Sequence, residues 1–141
     1  MTLFDSFSSK SRIHVARLTP GTDLKKALRG LAVRNNWSAA VMVTCVGSLV
    51  EYNLRFANQE EGTRKKGHFE IVSLTGTLSA SSVHLHLAAS DEKGVIIGGH
   101  LLDGNIIFTT AEVAIAELSD LTFERQFDPA SGYQELHIVG R

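Results

Sequence analysis

The chain has 141 residues, of which 43% are apolar and 21% are charged, and its formal net charge is -1. These values are typical of one globular domain. DNA-binding domains usually carry an overall basic excess that contacts phosphates, and this chain has none. No apolar stretch reaches the ~20 residues that a membrane helix needs. The single cysteine, Cys45, excludes an intrachain disulfide, and the opening MTLFDSFSSKSR has no signal-peptide pattern. We therefore expect a cytoplasmic protein.

The first third of the chain predicts a strand and then a helix. RIHVARL alternates apolar and polar residues and ends at a proline–glycine turn. In TDLKKALRGLAVRNNW, apolar residues recur at helical spacing from Leu24 to Leu31. Thr22 or Asp23 can cap the first turn, because a side-chain oxygen there accepts a free backbone N–H. Asn35 and Asn36 are suited to the end of this helix.

After the helix the pattern changes to β-strands. The strand-like segments are SAAVMVTCVGSLVEYNLRFA, HFEIVSLTGTLS, SVHLHLAAS, GVIIGGHLL, NIIFTTAEVAIAEL and LTFERQF, and ELHIVG is a short closing strand or tail. Alternation in HFEIVSLTGTLS places Phe69 and Ile71 on one face and Glu70 and Leu74 on the other. No linker interrupts the pattern, so we predict a single domain over residues 1–141. One helix and about seven or eight strands predict an α+β fold with a mainly antiparallel sheet.

Three of the six histidines lie within VHLHLAASDEKGVIIGGH, at residues 83–100. His84 and His86 are two apart on a predicted strand, so their rings point to the same face. His100 lies on the next strand of the same hairpin. Whether the three rings meet therefore depends on the turn that joins the two strands.

Two turns are compatible with this hairpin. If residues 92–94 form a three-residue loop, Gly94 takes the left-handed conformation and His100 lies opposite His86. If only residues 92–93 form the turn, His100 points to the opposite face, unless residues 98–99 form a bulge. The preference of glycine for the left-handed position favours the first turn, and with it three converging imidazoles.

Three neutral imidazoles suit zinc, with water or a substrate atom as the fourth ligand. The candidate metal ligands are His84, His86 and His100. The alternative is that these rings are scattered or half-buried and hydrogen-bond to backbone groups. The spacing alone leaves both interpretations open.

Several motifs, in the same order, resemble the plants-and-prokaryotes-conserved (PPC) domain. GHFEIVSL resembles the G-R-F-E-I-L-S-L stretch of that family, with His68 where arginine is common in the plant proteins. HLHL and GGHL resemble its H-x-H and G-G-H motifs, TTAEVAIAEL its T-A-E-V stretch, and GTDLKKALRGLAVRNNWSAAVMVTCVGSLVEYNLR its helix, strand and G-S/A-L turn. The resemblance covers residues 13–126, which leaves 127–141 as a C-terminal tail or short strand.

The resemblance implies a single helix packed on a curved antiparallel sheet, assembled as a homotrimer. In plants the domain is joined to AT-hook segments, whereas in bacteria and archaea it stands alone and is commonly labelled a predicted DNA-binding protein. Some prokaryotic members are thought to hold metal at the histidines that match His84, His86 and His100. This sequence has no R-G-R-P core of an AT-hook. We therefore expect assembly and protein partners rather than direct DNA binding.

Two glutamates and one arginine are further candidates. Glu70 lies in the partner-contact stretch of the family, and beside the histidines it could be a fourth ligand, an acceptor for a ring N–H or a general base. A strand glutamate is otherwise solvated or paired. Glu112 interrupts small apolar residues, and a buried glutamate needs a partner, for which Arg55 is the candidate. We expect that pair at a subunit boundary, and a catalytic role is the alternative.

Three functions follow from these observations. The first is a trimeric PPC module, associated with regulation and DNA, that acts through assembly and holds zinc at its three histidines. The second is a small zinc-dependent hydrolase or lyase that uses a metal-bound water. The third, direct DNA binding, conflicts with the net charge. We favour the module over the enzyme, because no general base is evident beside the histidines in the sequence.

Overall fold

The structure is a computed structural model that describes residues 4–141. The sequence predicts that the opening segment has no signal-peptide pattern. Part of that segment, residues 1–3, lies outside the described residues. Within residues 4–141, no helix has the length and apolar character needed to cross a membrane.

The chain forms one helix and eight strands in the described residues, and the predicted α+β fold is confirmed. The elements are β1 (Ser11–Leu18), α1 (Leu24–Arg34), β2 (Ala40–Arg55), β3 (Thr63–Leu78), β4 (Val83–Ser90), β5 (Ile96–Leu101), β6 (Ile106–Leu118), β7 (Leu121–Asp128) and β8 (Tyr133–Gly140).

Six strands form one antiparallel sheet in the order β1-β6-β2-β3-β4-β5. The sheet curls strongly, because the last strand in this order, β5, also pairs with the end of β2. In that pairing Leu54 lies opposite Leu101 and Arg55 lies opposite His100. Strands β7 and β8 form a separate two-stranded sheet. The curvature brings residues from three strands together at one place.

Helix α1 covers the inner side of the six-stranded sheet. Asp23 is its N-cap, and its side chain accepts a hydrogen bond from the backbone N–H of Lys26 at 3.2 Å. The leucines Leu24 and Leu28 and the alanine Ala32 are completely buried against the sheet. Burial of each leucine contributes about 1.5–3 kcal/mol, so this apolar stripe holds the helix in place. The sequence prediction of this helix is confirmed.

The predicted faces of β3 are correct only for its first half. Phe69 and Ile71 are buried and Glu70 is exposed, as predicted. Leu74 was predicted on the side of Glu70, but it is only 3% exposed and belongs to the core. The pairing with β4 shifts between Ile71 and Ser73. This bulge adds one residue to the strand and therefore resets the alternation of its side chains.

The opposite side of the sheet, which we call the outer face, is not covered by the helix. Apolar side chains are exposed there on β1, β2 and β6, namely Ile13, Val15, Val43, Val46 and Phe108. The registers place Val15 opposite Ala114 and Val46 opposite Glu112. An exposed apolar surface of this kind is typical of a protein–protein contact.

Candidate metal centre

The hairpin between β4 and β5 has the three-residue loop that Gly94 predicts. The N–H of Asp91 donates to the carbonyl oxygen of Val95 at 2.9 Å, which closes residues 92–94 into the loop. Gly94 has φ +77°, the left-handed conformation that a side chain would disfavour. The carboxylate of Asp91 accepts the N–H groups of Lys93 and Val95, both at 2.9 Å. The loop thereby sets the register of the whole hairpin.

In this register His86 lies directly opposite His100. The ring centroids are 5.2 Å apart for His84 and His86, 5.2 Å for His84 and His100, and 5.6 Å for His86 and His100. The three potential ligand nitrogens all lie within 4.8 Å of one another. The predicted convergence of the three rings is confirmed, whereas their role as ligands stays a prediction.

Two glycines allow the strands to approach closely enough for this convergence. A Cβ on Gly76 of β3 would collide with the carbonyl oxygen of His84, and Gly76 has φ +134°. A Cβ on Gly99 would lie 2.8 Å from the carbonyl oxygen of Arg55, at the place where β5 meets β2. Larger residues at either position would therefore push the histidine strands away from their neighbours.

The environment of His84 and His100 favours their neutral form. Burial, followed by the nearby charges of Lys25 and Arg55, lowers the pKa of His100 to about 4. Burial and then the charge of Arg125 also lower the pKa of His84. A neutral imidazole has a free nitrogen lone pair, which is the form that binds a metal ion.

The donor set fits a metal ion. Nδ1 of His100 is buried and has no hydrogen-bond partner among the described residues. A buried polar atom without a partner is costly, and a bound cation would remove that cost. In a tetrahedral zinc site, ligand nitrogens lie about 3.3 Å apart, as follows from Zn–N bonds of about 2.0–2.1 Å. The present nitrogens lie within 4.8 Å of one another, so the rings would move closer together on binding a metal ion.

A cavity of about 580 Å³ lies beside His84 and His100, open to solvent. Arg55, Arg125 and Glu135 contribute charged side chains to its lining. Arg125 and Glu135 are not among the site residues predicted from the sequence. They lie on β7 and β8, and this separate hairpin reaches the histidines only through the tertiary fold. No local spacing signals such a contact.

Glu70, the candidate for a fourth ligand, an acceptor for a ring N–H or a general base, does not lie beside the histidines. Glu70 is exposed and pairs with Ser90, four residues along β4 from His86, which corresponds to about 13 Å. It therefore cannot contact a metal ion at this site within the same chain. Its predicted partner contacts remain a prediction.

The predicted pair of Glu112 and Arg55 does not form within one chain. Glu112 is exposed rather than buried, because it points to the outer face between Arg17 and Val46. Arg55 lies nine residues beyond Val46, about 30 Å along β2, and is opposite His100. Arg55 thus belongs to the histidine cavity, and its contact with Glu112 across a subunit boundary stays a prediction.

The fold and the site together define a class of protein: one helix on a curved antiparallel sheet, with a three-histidine candidate metal centre. A family model, the Plants and Prokaryotes Conserved (PCC) domain, matches residues 5–119. The chain belongs to this family, which is the PPC family that its motifs resemble.

Two solved structures are similar over nearly the whole chain. A hypothetical protein from Salmonella cholerae-suis (Salmonella enterica) is 44% identical, with a TM-score of 0.94, and the match covers 96% of this chain and 98% of that chain. A metal-containing protein from Archaeoglobus fulgidus is 25% identical, with a TM-score of 0.79, and the match covers 95% of this chain and 99% of that chain.

Two curated relatives are bifunctional GlmU proteins of Synechococcus strains. The protein of strain JA-3-3Ab is 44% identical over 127 residues, which is 90% of this chain and 20% of that protein. The chain thus spans about a fifth of the length of the curated relatives it matches.

Proposed function

We propose that this chain is a homotrimeric PPC module, associated with regulation, that holds zinc at His84, His86 and His100. It acts through assembly and partner contacts, in the cytoplasm. The observation that carries the proposal is the convergence of three potential ligand nitrogens within 4.8 Å. The buried Nδ1 of His100 without a partner supports the same site.

Zinc is the metal of choice for this donor set. Imidazole ligands suit zinc, and three histidines with one open position are a known zinc arrangement. Because neutral imidazoles carry no charge, the ion would keep its full double charge in the site. The metal-containing relative from Archaeoglobus fulgidus supports metal binding at this fold, without identifying the ion.

The outer face supports the trimer. Exposed valines at positions 15, 43 and 46 form part of an apolar surface on β1 and β2, the two strands on either side of β6. Contact with other copies would remove this surface from water at about 25 cal/mol per Å² of apolar area. Direct DNA binding is not part of the proposal, because a net charge of -1 supplies no basic excess.

The first test is the metal content of purified, untagged protein, measured by elemental analysis. We expect about one zinc per chain, and its loss in His86→Ala. His86 is the most exposed of the three ligands, so this variant has the best prospect of folding. Removal of a ligand should weaken binding by at least the 10–100-fold that is typical for loss of a residue supporting a ligand.

The matched control is His68→Ala, since His68 is also exposed and lies on another strand, where its ring makes an edge-to-face contact with Phe108. It should keep the metal. If wild-type protein stays free of metal after incubation with zinc at neutral pH, the proposal of a metal centre is wrong. Only the proposed role in assembly would then remain.

One observation favours a second candidate function, a zinc-dependent hydrolase or lyase. Glu135 lines the same cavity as His84 and His100, and its charge opposes the lowering of the His84 pKa. A carboxylate near an open metal position can accept a proton. Hydrolysis of model esters by zinc-loaded protein, abolished in Glu135→Gln with the metal retained, would establish the enzyme.

A further inference from the structure

We propose that the cavity beside the three histidines binds a small hydroxy- or amino-carboxylate through Arg55 and Arg125. The inference rests on the proposed function, because it assigns a ligand class to the same metal-holding module. Three observations carry it: the free donors of the two arginines, the charge balance of the cavity and the chemistry of its walls.

The two arginines are oriented without using a carboxylate. Nε of Arg125 donates to Oγ of Ser82 at 3.1 Å, and its Nη2 donates to Oγ1 of Thr77 at 3.3 Å. Nη1 of Arg55 donates to the carbonyl oxygen of Gln59 at 3.4 Å. Neither arginine belongs to the three ion pairs formed among residues 4–141. Each guanidinium has five N–H donors, so both keep donors for a ligand.

The charges of the cavity are unbalanced. Two guanidinium groups line it, with Glu135 as the one carboxylate among the lining residues. The charge of Lys25 also reaches His84 and His100. A divalent cation on three neutral imidazoles would add further positive charge. Partly buried charges of one sign repel one another strongly, so an anionic ligand would stabilise this arrangement.

The walls of the cavity favour a carboxylate with a hydroxyl or ammonium group. The planar fork of arginine matches a carboxylate with two parallel hydrogen bonds. Glu135 can accept a hydrogen bond from the O–H or N–H that a hydroxy- or amino-carboxylate carries beside its carboxylate. Val83 and Tyr133 supply apolar area for a short carbon chain. The volume of about 580 Å³ suits a small metabolite.

The test uses zinc-loaded, ¹⁵N-labelled protein titrated with lactate, with acetate and with inorganic phosphate. Amide shifts of residues 82–84 and 133–135 report binding in the cavity. We expect saturable shifts with lactate and weaker ones with acetate and with phosphate, neither of which carries a hydroxyl group beside a carboxylate. Arg125→Gln should raise the Kd for lactate at least ~10-fold, since charge-assisted hydrogen bonds are the strong ones.

The control is Arg12→Gln, which removes the same charge from an exposed position on the edge strand β1. It should bind lactate like the wild type. Metal content is measured on every sample, so a failure of the metal centre is seen separately. The inference is overturned if zinc-loaded wild type shows no lactate shifts, if Arg125→Gln binds equally well with its zinc retained, or if phosphate binds more tightly than lactate.

Discussion

Strand β2 contributes to two surfaces of opposite character. Its first half exposes Val43 and Val46 on the outer face, where β6 separates them from Val15 of β1. Its last residue, Arg55, lies opposite His100 and lines the cavity. The apolar surface offers no directional contacts and suits a large partner, whereas the cavity retains polar groups without partners and suits a small ligand. In the proposed function, assembly and ligand binding would use separate residues of one sheet.

Both surfaces lie on the same side of the sheet. Ser48 follows Val46 by two residues and therefore points to the same side. Ser48 pairs with Glu70, Glu70 pairs with Ser90, and His86 follows on β4 at an even spacing from Ser90. Directly opposed residues share a face, so the two surfaces are parts of one continuous side. Variants that affect only one of them are the sharpest way to separate their roles.

The largest effect is expected from Val46→Glu, which should break the assembly and spare the metal centre. The new carboxylate would lie opposite Glu112, and two like charges on an apolar contact surface repel each other. Sedimentation equilibrium should give a mass of three chains of 15.3 kDa for the wild type and of one chain for the variant. Val95→Glu changes an equally exposed valine in the β4–β5 hairpin and should remain trimeric. A wild-type mass of one chain would reject the trimer.

The second-largest effect is expected from Gly76→Ala, which should destabilise the histidine region. The added Cβ meets the carbonyl oxygen of His84 in a backbone conformation with φ +134°. We expect the free energy of unfolding to fall by about 1–3 kcal/mol, measured by urea denaturation, together with weaker zinc binding. Gly30→Ala adds the same methyl group to an open position in α1 and should raise stability by about 0.5–1 kcal/mol. Equal stability of the two variants would argue against a close fit of β3 and β4.

The smallest effect is a loss of stability of metal-free protein in mild acid. The folded-state pKa of His100 is lowered to about 4, and that of His84 is also lowered, from an ordinary value of 6.5. The unfolded chain therefore binds more protons below pH 6.5, and stability contributed by the neutral rings is lost as the pH falls from 6.5 towards 4. Urea midpoints should fall across this range in the wild type and less in His100→Gln. His137→Gln, on exposed β8, should keep the wild-type pH dependence.

The fold and the histidine hairpin could be predicted because their determinants are local. Asp23 and the leucine spacing define the helix, and both occur within a few residues of one another. Gly94 fixes the loop and hence the register that opposes His86 and His100. In each case a short segment contains the physical cause of the structure.

The features that the sequence did not predict depend on tertiary contacts, which no local sequence pattern indicates. The bulge in β3 moves Leu74 into the core, although strict alternation places it outside. Glu112 was expected to be buried because its neighbours are small and apolar, yet its exposure depends on the side of the sheet to which it points. Arg125 reaches the histidines because β7 and β8 fold back over them, and the sequence contains no spacing that links these segments.

The end strand β1 has a consequence for synthesis of the chain. Among residues 4–141 its only strand partner is β6, and Ser11 pairs with Leu118. At about 5–20 residues per second, a ribosome needs several seconds to make the roughly 100 residues between them. The meander of β2, β3, β4 and β5 has shorter connections and can form during this interval. Because long-range pairing is slow, we expect β1 to dock after this meander has formed.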